Sequence, residues 1–498
     1  MIAFTHREQL VHRNGADMAR LTGKITDSAT GDQIEARVQV IGPGGQVLAP
    51  GDAMFKVGPG DPFFYSDGEF ALDIPRGRSQ IVVERGTEFT PWKSTVEADK
   101  NGTIALDVDL SRWSSLPEQG WHPGNTHIHY DEKEGDPDRR LAYDSRVEDL
   151  RMTAISVLKR WELEYATNKY PPGMLTQFTD THHYVQNGEE TRHNAGASHG
   201  IGYGHVMLLN IKNLVEPMSR GLLVDAFAPD YPPLSYACDD TKTQGGIVIW
   251  CHNGQGMEAP VAAALGKVDA MNLFDPWWSD VEYDLWYHML NCGIRLPAST
   301  GSDWFVSSAN RVYTHSSPDF EYADWLQGLR DGNTFITNGA AIGISVNGQP
   351  PGATISASNN EKLVVEVTWN SHYAIDRVEL IQNGEVVKSQ DLPAGSTDGK
   401  LETGISVESD GWVAARLGSS ARDSFAQAMW AHTSPVYVEV GGIKSSAAID
   451  SARYFLEQID TSLSWINTGA KFYTDSHRKE VLDLFAQGRS EYYAIARH

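Results

Sequence analysis

The sequence predicts a multidomain α/β protein: a central, distorted (β/α)7 barrel, β-sandwich regions before and after it, and helices at the C-terminal end. Three observations carry this. Between about 118 and 340, apolar runs of strand length alternate with amphipathic stretches of helix length. On both sides the pattern shifts to short alternating strands punctuated by glycine turns. From about Ser446 onward, apolar residues recur at i, i+3 and i+4. At 498 residues the chain exceeds one simple core, and its boundaries read as 1–115, 116–342, 343–445 and 446–498.

In the first region, GKITDSATGDQIEARVQVIG (23–42) alternates apolar and polar residues around a Thr30-Gly31-Asp32 turn. FYSDGEFALDIPRG (64–77) gives two strands about Asp67-Gly68, and SQIVVERG and TIALDVDL keep the same rhythm. These residues resemble a carboxypeptidase regulatory-like (transthyretin-like) β-sandwich, whose opening runs G-x-V-x-D-x-x-T-G-x-P-I-x-A. Gln33 stands where that pattern has proline. The region has no catalytic cluster, so the expectation is a structural or docking role.

In the second region, residues 146–161 read as a helix end feeding a strand. GHVMLLNI, GGIVIWCHN, DAMNLFDPWW and RLPASTGSDWF are further strands that end in polar or aromatic residues. Helices fall between them at about 259–265, 281–291 and 322–331. About seven strands with ligand-type residues at their C-terminal ends are what a β/α barrel presents at its active face. KLVVEVTW, AIDRVELIQNG, GWVAARL and SPVYVEV then alternate as sandwich strands, with Asn383-Gly384 a hairpin turn.

Composition excludes several partners. A net charge of -24 disfavours a nucleic-acid backbone and an anionic membrane. No apolar run is long enough to span a bilayer. The start, MIAFTHREQLVHRNGADMARL, lacks the apolar core of a signal peptide. A cytoplasmic protein, or one whose leader has been removed, is expected. Cys238, Cys251 and Cys292 are too few and scattered for a disulfide framework, and read as buried thiols. A small-molecule substrate is the expected partner, and the flanking sandwiches leave room for a homo-oligomer.

The chemistry gathers around PGNTHIHYDE (123–132). His127 and His129 lie at i and i+2, so an extended strand points both imidazoles the same way, as half of a metal site. Among 17 histidines such a pair is unremarkable alone. Four more positions share its place at a strand margin: Glu190 in NGEE, His205 in GHVMLLN, His252 in VIWCHN and Asp303 in ASTGSDWF. A lone histidine after a strand is more often a hydrogen-bonded core residue, and a lone Asp after Gly-Ser more often a turn or cap. Four imidazoles and two carboxylates together make a two-metal set.

The order HxH, G-x-E, GH, CH and G-S-D resembles the PHP (polymerase and histidinol phosphatase) superfamily. GWHPGNTHIH, GSDWF and WLQGLRDGNTFITNGAAIGISVNG resemble its CehA/McbA-like branch, which includes a carbaryl hydrolase. The likeness covers about 118–350. It implies one metal on His127, His129 and Asp303, a second on His205 and His252, and Glu190 as the bridge. Glu189 is the competing neighbour; alternation turns only one of the two inward, and the motif register favours Glu190.

The family's third metal site is missing its ligands. Tyr130-Asp131-Glu132 follow His129, Leu158-Lys159-Arg160-Trp161 replace a T-D-H motif, and Phe305 stands two after Asp303. Two divalent ions (Zn, Mn or Fe) are therefore expected. Lys159 or Arg160 is expected to place a fixed charge in the vacated site, and the stray Thr181-His182-His183 is a weak substitute.

The expectation is a metal-dependent hydrolase in which metal-bound hydroxide attacks an ester, carbamate or amide. Asp303 serves as ligand and proton shuttle, and Arg311 contacts an anionic group. Trp277, Trp278 and Trp304 are candidate pocket walls. A phosphoesterase with the same centre is the enzyme rival. A non-catalytic β-sandwich binding protein with a relic barrel is the rival from another class.

Overall fold

A computed structural model describes residues 18–99, 101–195, 202–274, 282–304 and 308–497. In the N-terminal region, Met18–Asp27 pairs antiparallel with Glu69–Pro75 and parallel with Thr103–Leu110. A second sheet joins Ala36–Ile41, Gly77–Glu84 and Trp92–Ala98. The period-two pattern buries one face of each sheet, so Leu21, Ile25, Val38, Val40, Ile74, Ile81 and Val108 form one core between them.

The helix-flanked (β/α)7 barrel expected from the sequence is not what the chain forms. Strand accounts for 39% of the structure and helix for 22%. Among the described residues, the central strands belong to one mixed sheet of seventeen strands that runs on into the C-terminal region. Thr334–Thr337 pairs antiparallel with Ala428–Thr433, carrying the sheet across that boundary. Trp121–Ile128, Met152–Val157 and Tyr184–Asn194 are parallel neighbours. Gly204–Leu209 then runs antiparallel to Tyr184–Asn194 and to Ile247–Trp250, after which Ile247–Trp250, Ala270–Asn272 and Ala298–Ser299 are again parallel neighbours. Arg311–His315 is antiparallel to both Trp121–Ile128 and Thr334–Thr337. The physical reason for the difference is simple. A buried apolar run such as VMLL or IVIW satisfies a parallel or an antiparallel ladder equally, so it fixes burial without fixing direction or a helical crossover.

Five helices accompany this part of the sheet among the described residues: Pro137–Val147, Leu234–Thr243, Ala259–Ala264, Asp284–Asn291 and Tyr322–Asp331. Farther on, Arg377–Gln382 and Glu385–Asp391 form a hairpin across Asn383-Gly384, where φ is 52° and 88°. Both central turn residues are left-handed, as a two-residue hairpin of this twist requires. Ile342, Val365, Val367, Val378, Leu380 and Val413 fill the core beneath these strands.

The two terminal helices, Ser446–Thr468 and Asp475–Ala496, are capped by Ser445 and Thr474 side chains. Phe455, Ile459, Val481, Phe485 and Tyr492 pack them against the central core. Asp230 accepts from His193 Nε2 at 2.8 Å and from the Lys471 amide at 2.7 Å, fastening the helical hairpin to the central strands. No helix among the described residues is long and apolar enough to cross a membrane.

His432, at the seam between the central and C-terminal strands, is fully buried. Its Nδ1 donates to the Thr433 carbonyl at 2.7 Å and its Nε2 accepts from the Tyr287 hydroxyl at 2.6 Å. Burial, with the Arg416 guanidinium nearby, pushes the ring down to about 3, against the pull of the Thr433 carbonyl. A ring whose folded pKa lies below its unfolded value destabilises the fold when protonation sets in. Stability is therefore full above the ordinary value of 6.5 and falls as pH drops toward 3. Relative to His432→Gln, the wild type is expected to lose up to about 1.4 kcal/mol more per pH unit in that window. Denaturant midpoints measured across it check this, and equal slopes would contradict a neutral buried ring.

Candidate metal centre

His127 closes the strand Trp121–Ile128 and His129 follows one residue beyond it. Asp303 is strapped to the same segment. The Ser302 and Asp303 amides both donate to the His127 carbonyl, at 2.9 and 2.8 Å, and the His129 amide donates to the Asp303 carbonyl at 2.9 Å. The glycine of the G-S-D motif permits this approach. A Cβ on Gly301 would lie 2.5 Å from the His127 Cβ. Asp303 itself turns left-handed, at φ 49°, a conformation that non-glycine residues hold mainly at functional sites.

Glu190 and the second pair of histidines come from the antiparallel part of the sheet. Glu190 lies on Tyr184–Asn194, and His205 sits on the next strand, directly opposite Arg192. His252 follows Ile247–Trp250 in a left-handed turn, with φ of 53° there and 57° at Asn253.

All six side chains are buried and converge. His127 Nε2 and His129 Nε2 are 3.0 Å apart, and Asp303 Oδ1 is 3.3 Å from each. Glu190 Oε2 is 2.7 Å from His129 Nε2 and 3.9 Å from His127 Nε2. Its other oxygen, Oε1, is 3.2 Å from His205 Nδ1 and 3.6 Å from His252 Nε2. His205 Nδ1 and His252 Nε2 are 2.8 Å apart. The donors thus form two groups that share Glu190: His127, His129, Asp303 and Glu190 on one side, His205, His252 and Glu190 on the other.

Neighbours orient the rings. The Ser156 hydroxyl lies 2.8 Å from His129 Nδ1 and within reach of the Ile128 carbonyl, so it accepts the ring N–H while donating onward. Asn194 Oδ1 accepts from His205 Nε2 at 2.8 Å. Each contact leaves the opposite nitrogen with its lone pair aimed inward, which is how ligand histidines are held. Burial holds His129 and His205 below the ordinary histidine range, so both stay neutral donors.

Burial alone would raise the Glu190 carboxyl. The Arg192 guanidinium and the surrounding imidazoles overcome it and hold the group well below the usual carboxylate range. Neither Glu190 oxygen has a hydrogen bond, although four imidazole nitrogens surround them. Facing lone pairs at such distances repel unless a cation or proton lies between them. The donor set and the orphaned bridging carboxylate fit two divalent cations.

The neighbouring Glu189 points the other way, as strand alternation requires. It accepts from the Thr191 hydroxyl and from the Val215 amide, and burial pushes it up to about 7.

Other expected residues fall elsewhere. Arg311 does not reach the centre. It is buried, its Nε donating to the Ala309 carbonyl and its Nη1 to the Glu148 carbonyl, both at 2.9 Å, with Glu148 Oε2 3.7 Å from Nη2. Lys159 is exposed, and Arg160 stacks on Trp161 at 4.2 Å. His183 bonds the Leu150 carbonyl and His182 lies against Arg151. Tyr130 is buried and donates to Asp144. Trp304 lies 4.8 Å from the His129 ring and 5.4 Å from Tyr165. Trp277, Trp278 and Phe305 lie outside the described residues.

Three residues that shape the centre were missed at the sequence level: Ser156, Asn194 and Arg192. The signal for Arg192 was present, because it sits two residues after Glu190 and so shares its strand face.

No family model matches the chain, and no curated protein matches it. A crystal structure of a DUF3823 family protein from Parabacteroides merdae aligns over 85% of this chain and 100% of its own. The identity is 8% and the TM-score 0.12, which carries no argument.

Asn194→Ala and Ser156→Ala each remove an orienting partner from one half of the centre. Each is expected to weaken metal binding roughly 10- to 100-fold, measured by competition with a chromophoric chelator. Unchanged affinity in both would mean that ring orientation does not set these sites.

Proposed function

We propose that the protein is a metal-dependent hydrolase with a dinuclear divalent-metal centre, cleaving an ester, carbamate or amide bond. The observation that carries this reading is the bridging geometry of Glu190, with one oxygen directed to each histidine pair. It rests on the ligand set and not on the fold.

His127, His129 and Asp303 would hold one ion, His205 and His252 the other, and Glu190 both. Bound there, the pair supplies an activated water at neutral pH and polarises the oxygen of the scissile group. The protein's own residues do the rest. Asp303 Oδ1, at 3.3 Å from two ligand nitrogens, is placed to accept a proton and return it to the leaving group. Burial of all six donors keeps bulk water out and strengthens each electrostatic contact. Trp304, half-buried against His129, offers a flat apolar wall on the approach. A phosphoester is the second reading, favoured by the Arg192 guanidinium 3.5 Å from Glu190.

Elemental analysis of the purified protein tests the proposal. About two metals per chain are expected, collapsing in Glu190→Ala together with hydrolysis in a screen of esters, carbamates and phosphoesters. A protein that takes up no metal after reconstitution would overturn it.

A further inference from the structure

Arg192 is the unexplained charge in this centre. Its side chain is more than nine-tenths buried. Its Nε is 3.5 Å from Glu190 Oε1, but out of hydrogen-bond alignment, and both Nε and Nη1 are buried without a hydrogen bond. By comparison, Arg37 grips Glu148 at 2.6 and 2.7 Å, and Arg311 bonds two carbonyls and leaves only Nη2 without a hydrogen bond. Guanidinium N–H groups left dry and unpaired are costly, and a fold that keeps them does so where a ligand completes the pairing.

Charge balance gives the sign of that ligand. Glu190 and Asp303 are the two carboxylates of the centre. Two divalent ions exceed their combined charge, and Arg192 adds to the excess. A site this buried and this positive calls for an oxyanion. The guanidinium's planar fork suits two oxygens of one group. Its surroundings agree. Burial raises the Tyr165 phenol, and the charges of Arg192 and Arg160 oppose it. Tyr165 in turn lies 5.4 Å from Trp304. Trp304 also lies against the His129 ring, so these two aromatic rings border the centre.

We infer that Arg192 is the substrate-selecting residue of the centre, and that it holds an oxyanion, phosphate or carboxylate, carried by the substrate next to the scissile bond. This rests on the dinuclear reading above. A phosphoester would present the reacting group itself to Arg192, and a carboxylate-bearing ester a neighbouring one. A neutral substrate would leave the two N–H groups unpaired.

The test uses the full, metal-loaded chain, with metal content measured first in wild type, Arg192→Met and Arg192→Lys. In the loaded centre the bound cations would themselves keep Glu190 ionised in place of Arg192, so all three are expected to hold the same metal. Calorimetric titration with inorganic phosphate, and separately with acetate, then reads the oxyanion site without any turnover. Wild type is expected to bind at least one of them, with the tighter of the two identifying the source. Affinity is expected to fall at least tenfold in Arg192→Met and to be partly restored in Arg192→Lys. Equal anion affinity in wild type and Arg192→Met at full metal content would overturn the inference and leave the hydrolase reading standing. So would loss of metal in Arg192→Met, which would make Arg192 a support for Glu190. Absence of metal from the wild type would overturn the hydrolase reading itself, and this inference with it.

Discussion

A carboxylate as deeply buried as Glu190 has no water to stabilise its charge, and an isolated one would cost the fold several kcal/mol. Glu190 stays ionised because imidazoles from three separate segments and the Arg192 guanidinium enclose it. That requirement organises the centre. The strand that carries Glu190 must lie beside Gly204–Leu209 in one register, because a slip of one residue would turn Glu189 inward instead. His252 and Asp303 reach inward only from left-handed turns. Local strain of this kind persists where the surroundings over-determine it, and here the surroundings are the other ligands.

The scaffold reinforces the centre from behind. Arg37 of the N-terminal sheets binds Glu84 and Glu148, and Glu148 in turn meets Arg311 at the start of its strand. Arg311 holds the Ala309 carbonyl, and Ser308 bonds Ser302 at 2.7 Å, beside Asp303. Buried ion pairs of this sort contribute little net stability, since desolvation offsets attraction, but they break at high cost and so fix one arrangement. The N-terminal region is thereby joined through side chains to the segment that presents Asp303, which gives it a bracing role in this chain.

How much of this was legible in the sequence depended on the kind of signal. Alternation in 23–42 and 64–77 specified which side chains face the N-terminal core, because a period of two leaves no choice of face. The six donors stood out only through their joint occurrence at strand margins, since each alone reads as a core residue, turn or cap. Sheet direction was not legible: GHVMLL carries no mark that distinguishes a parallel strand with a helical crossover from the antiparallel neighbour it is. The (β/α)7 expectation failed at that point. Arg311 lies away from the centre for a related reason. Position after G-S-D drew attention to Arg311, whereas the pairing of Arg37 with Glu148, far apart in sequence, is what turns that region into a structural junction. Arg192 needed only the strand period, applied two residues beyond Glu190.

The central claim is that Glu190 bridges two cations, one in each histidine group. Crystals of the metal-loaded protein, measured at the absorption edge of the bound metal, test it most directly. Two anomalous peaks about 3.5–4 Å apart are expected, one near His127, His129 and Asp303, the other near His205 and His252, with a Glu190 oxygen on each. A single peak with Glu190 turned away, or peaks away from these side chains, would contradict it.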